Sequence, residues 1–347
     1  MEEELPFVSV CTPTFNRRPF IESMFQCFRN QTYPLSRMEW IIVDDGTDKI
    51  QDLVEQSGIS QIKYFPIENK MKLGEKRNFI HSKTTGSILV YMDDDDYYPP
   101  ERVDHAVDML RIHKTAMIAG ASEIYIYFKH IQKMYQCGPY GKDHATAGTF
   151  AFRRQLLNET RYEDNASLAE ERLFLKKFTI PMVQLDPLKT ILVFSHVHNT
   201  FDKRNMLESM HPQYFSESTK TVDDFIRQTS ENNIRQFFMN DIDDKLKAYQ
   251  PGEPGMKPDV MEQIAQIDEE RKRFIAAQPA PQIMIDISGE RRPMTPQEVV
   301  QALGQQQEHI KKLTARIQEL ESIISSSNTS SSNIPGRRPL RYPDIIT

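Results

Sequence analysis

Ile88-Leu89-Val90-Tyr91-Met92-Asp93-Asp94-Asp95-Asp96 is the stretch on which the reading of this chain turns. An apolar run of this length predicts a buried strand. The four carboxylates at its exit repel one another unless a cation, a proton or hydrogen-bond donors stand between them. Alternate residues at a strand end point to opposite sides, which groups Asp93 with Asp95 and Asp94 with Asp96. Two readings follow. One is a solvated acidic loop, which is what a charge run usually is. The other is a divalent-cation site, whose oxygen ligands suit magnesium or manganese better than zinc. A calcium loop of the helix-loop-helix kind is excluded, because its sixth position counted from Asp93 is Tyr98 rather than glycine and its twelfth is Asp104 rather than glutamate.

Upstream of this stretch, strand-like and helix-like patterns alternate. Phe7 to Cys11 and Trp40 to Val43 are apolar runs, Tyr64-Phe65 marks a third, and helical patterns cover Pro19 to about Asn30, Gly74 to Lys83 and Pro100 to His113. Such alternation predicts an α/β domain with a parallel sheet and helices on its faces. Ligands of these sheets sit beyond the carboxyl ends of the strands. Thr12-Pro13-Thr14, Asp44-Asp45-Gly46 and Asp93 to Asp96 lie at three such ends, and their convergence on one crevice favours the metal reading over the acidic loop. The segments 117–121, 124–128, 131–135, 148–152, 181–185 and 191–194 read as further short strands, the earlier ones antiparallel, closing the domain near residue 205.

At 347 residues and 39% hydrophobic content, the chain is long enough for one large domain and an appendage. A formal net charge of −6 leaves no electrostatic footprint for nucleic acid. Cys11, Cys27 and Cys137 are too few and too scattered for a disulfide framework or a thiolate metal site. The acidic start Met1-Glu2-Glu3-Glu4 does not read as a signal peptide, and no window approaches the roughly 18 to 20 apolar residues of a membrane span. A soluble, cytoplasmic protein with at most a peripheral membrane contact is expected.

After the domain at 1–205, helical pattern dominates a segment at 206–294, over Thr221 to Tyr249 and Val260 to Ala277, broken by Pro251-Gly252-Glu253-Pro254-Gly255. Thr295-Pro296-Gln297-Glu298 then opens a new helix with proline in its first turn and a capping-box glutamate. Leu303, Ile310, Ile317 and Ile324 recur every seven residues, with Leu313 and Leu320 three positions after two of them and Gln306 as the polar seam residue. This helix, over 295–324, either packs on its own chain or makes a homo-oligomer by a coiled coil through residues 299–324. The Ser/Asn run from Ser325 to Asn333 reads as a linker within a flexible tail at 325–347.

Four pieces occur in a familiar order: Phe7 to Arg17 with Thr12-Pro13-Thr14-Phe15-Asn16-Arg17, then Ile41-Ile42-Val43-Asp44-Asp45-Gly46, then Leu73-Gly74-Glu75-Lys76-Arg77-Asn78, then Tyr91-Met92-Asp93-Asp94-Asp95-Asp96. Over residues 6 to 200 the chain resembles the family 2 glycosyltransferases, which have the nucleotide-sugar-binding GT-A fold, a Rossmann-like mixed sheet flanked by helices. The resemblance implies a metal-dependent transferase that moves a sugar from a nucleotide-diphosphate donor, a UDP-sugar by preference, to a glycan or other hydroxyl acceptor with inversion. It implies that Thr12, Pro13 and Thr14 line the nucleobase pocket, that Asp44 or Asp45 accepts from the base edge, and that Arg77 lies near the nucleotide. It places Asp93 near the ribose and the metal and Asp95 on a Mn2+ or Mg2+ ion that bridges the diphosphate, and it counts Asp94 among the donor-binding residues without a role of its own. Gly148 would lie under the donor sugar, and His198, or as second choice His196, would complete the metal shell.

The resemblance also implies a base for the acceptor hydroxyl, usually the aspartate of a Glu-Asp pair at a helix start. Here the matching segment is Glu170-Glu171, a departure by one methylene that leaves Glu171 as the first choice and Glu170 as the second. From the residues alone, Asp44 and Asp45 also fit a strand-to-helix turn with Gly46, and both glutamates fit first-turn acids on a helix dipole. Two rival functions remain at this stage. One is a sugar-1-phosphate nucleotidyltransferase, disfavoured because Thr12 to Arg18 lacks glycine. The other is a non-catalytic GT-A scaffold joined by the coiled coil.

Overall fold

A computed structural model describes residues 4–167, 171–277, 284–287 and 290–330. Glu170 and the tail beyond residue 330 lie outside the described residues. In chain order the first elements are β1 (Val8–Thr14), α1 (Ile21–Arg29), β2 (Met38–Asp44), α2 (Gln51–Ser57), β3 (Ile62–Pro66), α3 (Leu73–Lys83), β4 (Ile88–Tyr91) and α4 (Arg102–Ile112). The four strands pair in parallel in the order β3-β2-β1-β4. The chain order therefore reverses at β1, with β2 on one side and β4 on the other, and the crevice beyond the carboxyl ends of β1 and β4 is the switch point where such sheets bind ligands.

β2 and β4 are buried along their whole length and β1 nearly so, and their sequences are mostly apolar because both sheet faces are covered there. Val8, Val10, Trp40, Ile42 and Val90 face one core, where Phe28 stacks on Trp40 at 4.4 Å between ring centroids. Cys11, Ile41, Val43, Leu89 and Tyr91 face the other, which holds the stacked pair Tyr162 and Phe174 at 4.3 Å. This period-two partition is what fixes the register of β1 and β4 so that Thr14 and the aspartates emerge at the same edge.

The second half contributes β5 (Ile118–Gly120), β6 (Ile124–Phe128), β7 (Lys133–Cys137), β8 (Ala151–Arg153), α5 (Glu171–Phe174), β9 (Met182–Gln184), β10 (Leu192–Ser195), α6 (Met206–Ser209) and β11 (Phe215–Glu217). The main sheet continues as β4-β8-β5-β9, with β8 antiparallel to both neighbours and β9 parallel to β5. A second sheet has the order β10-β6-β7-β11. The result is the mixed sheet flanked by helices that the sequence predicts. Three details differ. The strand expected over 131–135 is shifted to Lys133–Cys137, because residues 129–131 form the turn between β6 and β7. β10 runs parallel to β6, and β11 had no sequence signal beyond its single buried residue Phe215.

The helical pattern over 221–249 is not one helix. It is α7 (Asn232–Gln236), a π turn at Phe237–Asp241 and α8 (Ile242–Lys247), preceded by short 3-10 turns. The π turn brings two consecutive aromatics to the core: Phe238 stacks on Phe194 at 4.2 Å, and Phe237 meets Phe20 edge-on at 5.8 Å. α9 (Pro258–Ala277) follows. The chain divides into two compact units, residues 1–271 and 272–347. In the second, β12 (Met284–Ile287) pairs with β13 (Glu290–Pro293), and α10 (Pro296–Ser330) begins at the expected cap, where Thr295 and Glu298 bond reciprocally. α10 runs through Ser325–Ser330, so the start of the expected flexible linker is helical.

Candidate active site

A cavity of about 190 Å³ opens beyond β1 and β4, and its wall includes Pro13, Thr14, Arg77, Asp93, Asp94 and Asp95. Two of the three expected strand ends thus meet there, together with the head of α3. The third, Asp44-Asp45-Gly46, stands behind the wall. Asp44 accepts from its own loop, from Gly46 N at 2.9 Å and Ile50 N at 3.0 Å, and from the Tyr64 hydroxyl at 2.7 Å. Asp45 is ion-paired with Lys76 and accepts from Met71 N at 2.6 Å. Their carboxylates organise the loop and position Lys76, whose ammonium also donates to the Thr14 carbonyl at 3.1 Å. Thr12 is likewise behind the cavity, fully buried, donating to the Met92 carbonyl at 2.6 Å and accepting from Trp40 Nε1 at 2.9 Å. It clamps β1 to β4 rather than lining a base pocket, because its hydroxyl points between the strands.

The aspartate run is held by two cations, Arg77, which the sequence places near the nucleotide, and Arg17, to which it gives no role. Arg17, 4% exposed, places its guanidinium 3.7 Å from Asp94 and 3.2 Å from Asp95. Arg77 approaches Asp93 at 3.8 Å and lies over the Tyr91 ring at 4.5 Å. Burial and the neighbouring Asp95 push Asp94 up to about 7. Burial alone would raise Asp95 too, but Arg17 and then His196 outweigh it and hold it below the usual carboxylate range. Asp96, half-buried beside the others, is pushed well above that range by its loss of solvent and then by Asp95. Asp94, Asp95 and Asp96 therefore share charge unequally, and of these three Asp95 is the one favoured in the ionised form.

Of the two histidines, His196 is the neighbour of Asp95, with Nε2 at 3.5 Å from its carboxylate. His198 lies instead beside Tyr249 and Gly252. On an extended strand these two positions would share a side, but the chain turns after β10, with Asn199 N donating to the His196 carbonyl at 3.1 Å, and the turn sends the two rings apart. Burial holds both rings down to about 4, so they are neutral at physiological pH.

The floor is built from residues outside the motifs. Tyr98 accepts from Asp93 N at 2.8 Å and donates to the Gly148 carbonyl at 3.2 Å, so the acidic loop and the glycine turn are one unit. A side chain at Gly148 would bring its Cβ to 3.1 Å from Asp93 Oδ2, so the Asp93 carboxylate would have to shift to admit it. Fully buried Arg102 donates to the carbonyls of Tyr91, Thr149 and Phe150 beneath this unit. Glu171 opens α5 and is partly buried. Across the cavity stand Thr200 and Lys257. Burial and the nearby Arg17 lower Lys257 to about 7 against the pull of Asp94 and Asp95. Arg17 was legible as part of the quoted motif, whereas nothing in the sequence around Lys257 signalled a site.

Residues 9–161 match the family described as glycosyl transferase family 2. This part of the chain is similar to family 2 glycosyltransferase domains. Among curated relatives, the chain is 28% identical over 108 residues to a putative teichuronic acid biosynthesis glycosyltransferase, TuaG, of Bacillus subtilis, covering 30% of this chain and 42% of that protein. It is 26% identical over 113 residues to the poly(ribitol-phosphate) beta-N-acetylglucosaminyltransferase TarS of Staphylococcus aureus, covering 32% of this chain and 20% of that one. The match thus spans less than half the length of either relative. A crystal structure of S. aureus TarS 1–349 in complex with UDP-GlcNAc aligns over 83% of this chain and 96% of its own, at 14% identity and a TM-score of 0.47.

Among the described residues no group of three or more His, Cys, Asp or Glu side chains is gathered tightly enough to cage a metal by itself. That is compatible with magnesium or manganese, which bind through one or two carboxylates and complete their shell with water and substrate phosphates. Asp93 and Asp95, both on the cavity wall, supply the oxygen donors such an ion takes. Among the described residues no helix is long and apolar enough to cross a membrane.

Proposed function

We propose that the domain that matches family 2 transfers a sugar from a nucleotide-diphosphate donor, a UDP-sugar, to an acceptor hydroxyl with inversion. The observation that carries this reading is one cavity at the sheet's switch point whose wall combines Asp93, Asp94 and Asp95 with Arg17, Lys76 and Arg77. A wall of carboxylates and cations together suits a diphosphate that arrives with a divalent ion. Asp93 and Asp95 would hold the ion, with His196 better placed than His198 to support it. A bound magnesium or manganese ion supplies Lewis-acid stabilisation of the charge that develops on the leaving diphosphate.

The protein's own groups do the rest. Arg77 and Lys76, fixed by Tyr91 and Asp45, offer positive charge to the phosphates without having to reorganise. Tyr98 and Arg102 lock the acidic loop and the Gly148 turn in one geometry under the donor sugar. Glu171, at the head of α5, takes the acceptor proton as general base.

In α10, Leu303, Ile310, Leu313, Ile317 and Leu320 are between 43% and 62% exposed. Isoleucine at the first seam position with leucine at the second is the pattern of a parallel two-stranded coil, which supports a homodimer. The donor reading is tested by calorimetric titration of the full chain with UDP, GDP and their sugar conjugates, with manganese or EDTA. Manganese-dependent binding of UDP, lost in Asp95→Ala, is expected; metal-independent binding that survives the substitution rejects the metal assignment.

A further inference from the structure

Lys257 lies in the loop before α9, 96 residues beyond the family 2 match, yet it lines the same cavity as Asp93, Asp94 and Asp95. Its position is built rather than incidental. On one side of it, the Asn16 amide donates to the Pro251 carbonyl at 2.8 Å and the Arg17 guanidinium to the Gly252 carbonyl at 3.3 Å. Asn16 takes up a left-handed backbone at φ 51° to make this contact, a conformation asparagine tolerates. Gly252 sits so close that an added Cβ would fall 2.8 Å from the Asn16 carbonyl oxygen. On the other side, Asp259 pairs with Lys70, and Ser167 N donates to Gln263 Oε1 at 3.0 Å. The loop is pinned at both ends against the walls of the cavity.

The charge pattern says what this lysine is for. Of the four cations on the cavity wall, Arg17, Lys76 and Arg77 each stand within ion-pair distance of a carboxylate. Among the described residues Lys257 has no such partner; its ammonium donates only to the neutral hydroxyl of Thr200, at 2.9 Å. Moreover Lys70, Lys76 and Lys257 all approach the ring of Phe15, at 5.4, 5.8 and 5.7 Å from its centroid. Three ammonium groups around one ring repel one another, and only two of them are neutralised, by Asp259 and Asp45. An anion entering the cavity would complete the set.

We propose that Lys257 binds the diphosphate of the donor, so that the segment after the family 2 match supplies one wall of the donor site. This rests on the nucleotide-sugar reading given above. The sugar nucleotide's phosphates would displace the Thr200 hydroxyl as the acceptor of the ammonium, and Thr200 would then be free to donate to a phosphate oxygen. Domains truncated before residue 250 would lack this contact.

The test compares the full chain with Lys257→Met and Lys257→Arg in titrations with UDP and with uridine, in manganese buffer. Loss of one charge-assisted hydrogen bond raises the UDP dissociation constant roughly 10- to 100-fold in Lys257→Met. Uridine, which has no phosphate, should bind the variant within about twofold of the parent, and Lys257→Arg should recover most of the UDP affinity. Unchanged UDP binding in Lys257→Met overturns the proposal. So does a parallel loss of uridine and UDP, which would mean that the lysine only holds the wall in place. If the parent chain binds neither UDP nor any other nucleoside diphosphate, the donor reading itself falls and this assignment with it.

Discussion

Arg17→Met is the substitution that most directly probes how the acidic run is held. In the parent, one guanidinium serves both Asp94 and Asp95, and the three side chains are 4%, 8% and 18% exposed. Methionine keeps much of the volume and removes the charge, leaving two adjacent carboxylates facing each other in a partly closed cavity. Breaking a buried ion pair from one side costs about 3–5 kcal/mol. Because Asp95 retains contact with water through the cavity, the lower end is expected, about 3 kcal/mol, a shift of the urea midpoint on the order of 1 M. The sign of the pH dependence follows from Asp95. Its folded value lies below the ordinary carboxylate range, so the stability it contributes is present above that ordinary value and is lost as pH falls through the folded one. Asp94 has the opposite sign, with a folded value near 7, and its ionisation opposes folding as pH rises. Without Arg17 the pair takes up a proton more readily, so the penalty should be largest at pH 7.5 and smaller at pH 5. Urea unfolding of the parent, Arg17→Met, Asp95→Asn and the double variant at both pH values measures the coupling. A loss below about 1 kcal/mol at pH 7.5, or one that is the same at pH 5, would refute the reasoning.

Glu39→Gln should destabilise the first unit, since Glu39 is buried and accepts from Ser9 at 2.5 Å and from Lys63 at 2.6 Å. Burial would raise it, but Lys63 and Ser9 hold it down to about 2, worth about 3 kcal/mol above pH 4.5 and fading as pH falls toward 2, so thermal melts of parent and variant should converge in acid. Glu171→Gln should lower sugar transfer at least roughly 100-fold while UDP affinity changes little; full activity would move the base elsewhere. Deleting residues 295–347 should convert a dimer to a monomer in sedimentation, and an unchanged mass would reject the coiled coil. Gly252→Val should weaken UDP binding, because its side chain would force the loop carrying Lys257 off Asn16; native UDP affinity would show that the wall does not matter.

Much of the sheet was legible because burial on both faces demands apolar runs, and these need only the local sequence. β1, β2 and β4 declare themselves in this way, and the cap of α10 does so through Thr295 and Glu298. Over 221–249 the helical pattern does not show where the helix is interrupted, since periodicity does not distinguish an α turn from the π turn that sends both Phe237 and Phe238 inward. β11 and α2 escaped for a related reason: each buries too few residues to leave a pattern.

The sequence by itself determined that a strand ends in four carboxylates, that basic residues follow the first and third strands, and that these belong to an α/β sheet. Only the tertiary structure decided which charge meets which. It turned Asp44 inward to Gly46, Ile50 and Tyr64, gave Asp45 to Lys76, put His196 rather than His198 beside Asp95, and brought Lys257 against a cavity opened by residues more than 150 positions earlier. The physical reason is that backbone periodicity is set by neighbours in the chain, whereas the pairing of side chains depends on packing among distant segments. A carboxylate's role is fixed by which donors and cations reach it, and those come from elsewhere in the fold.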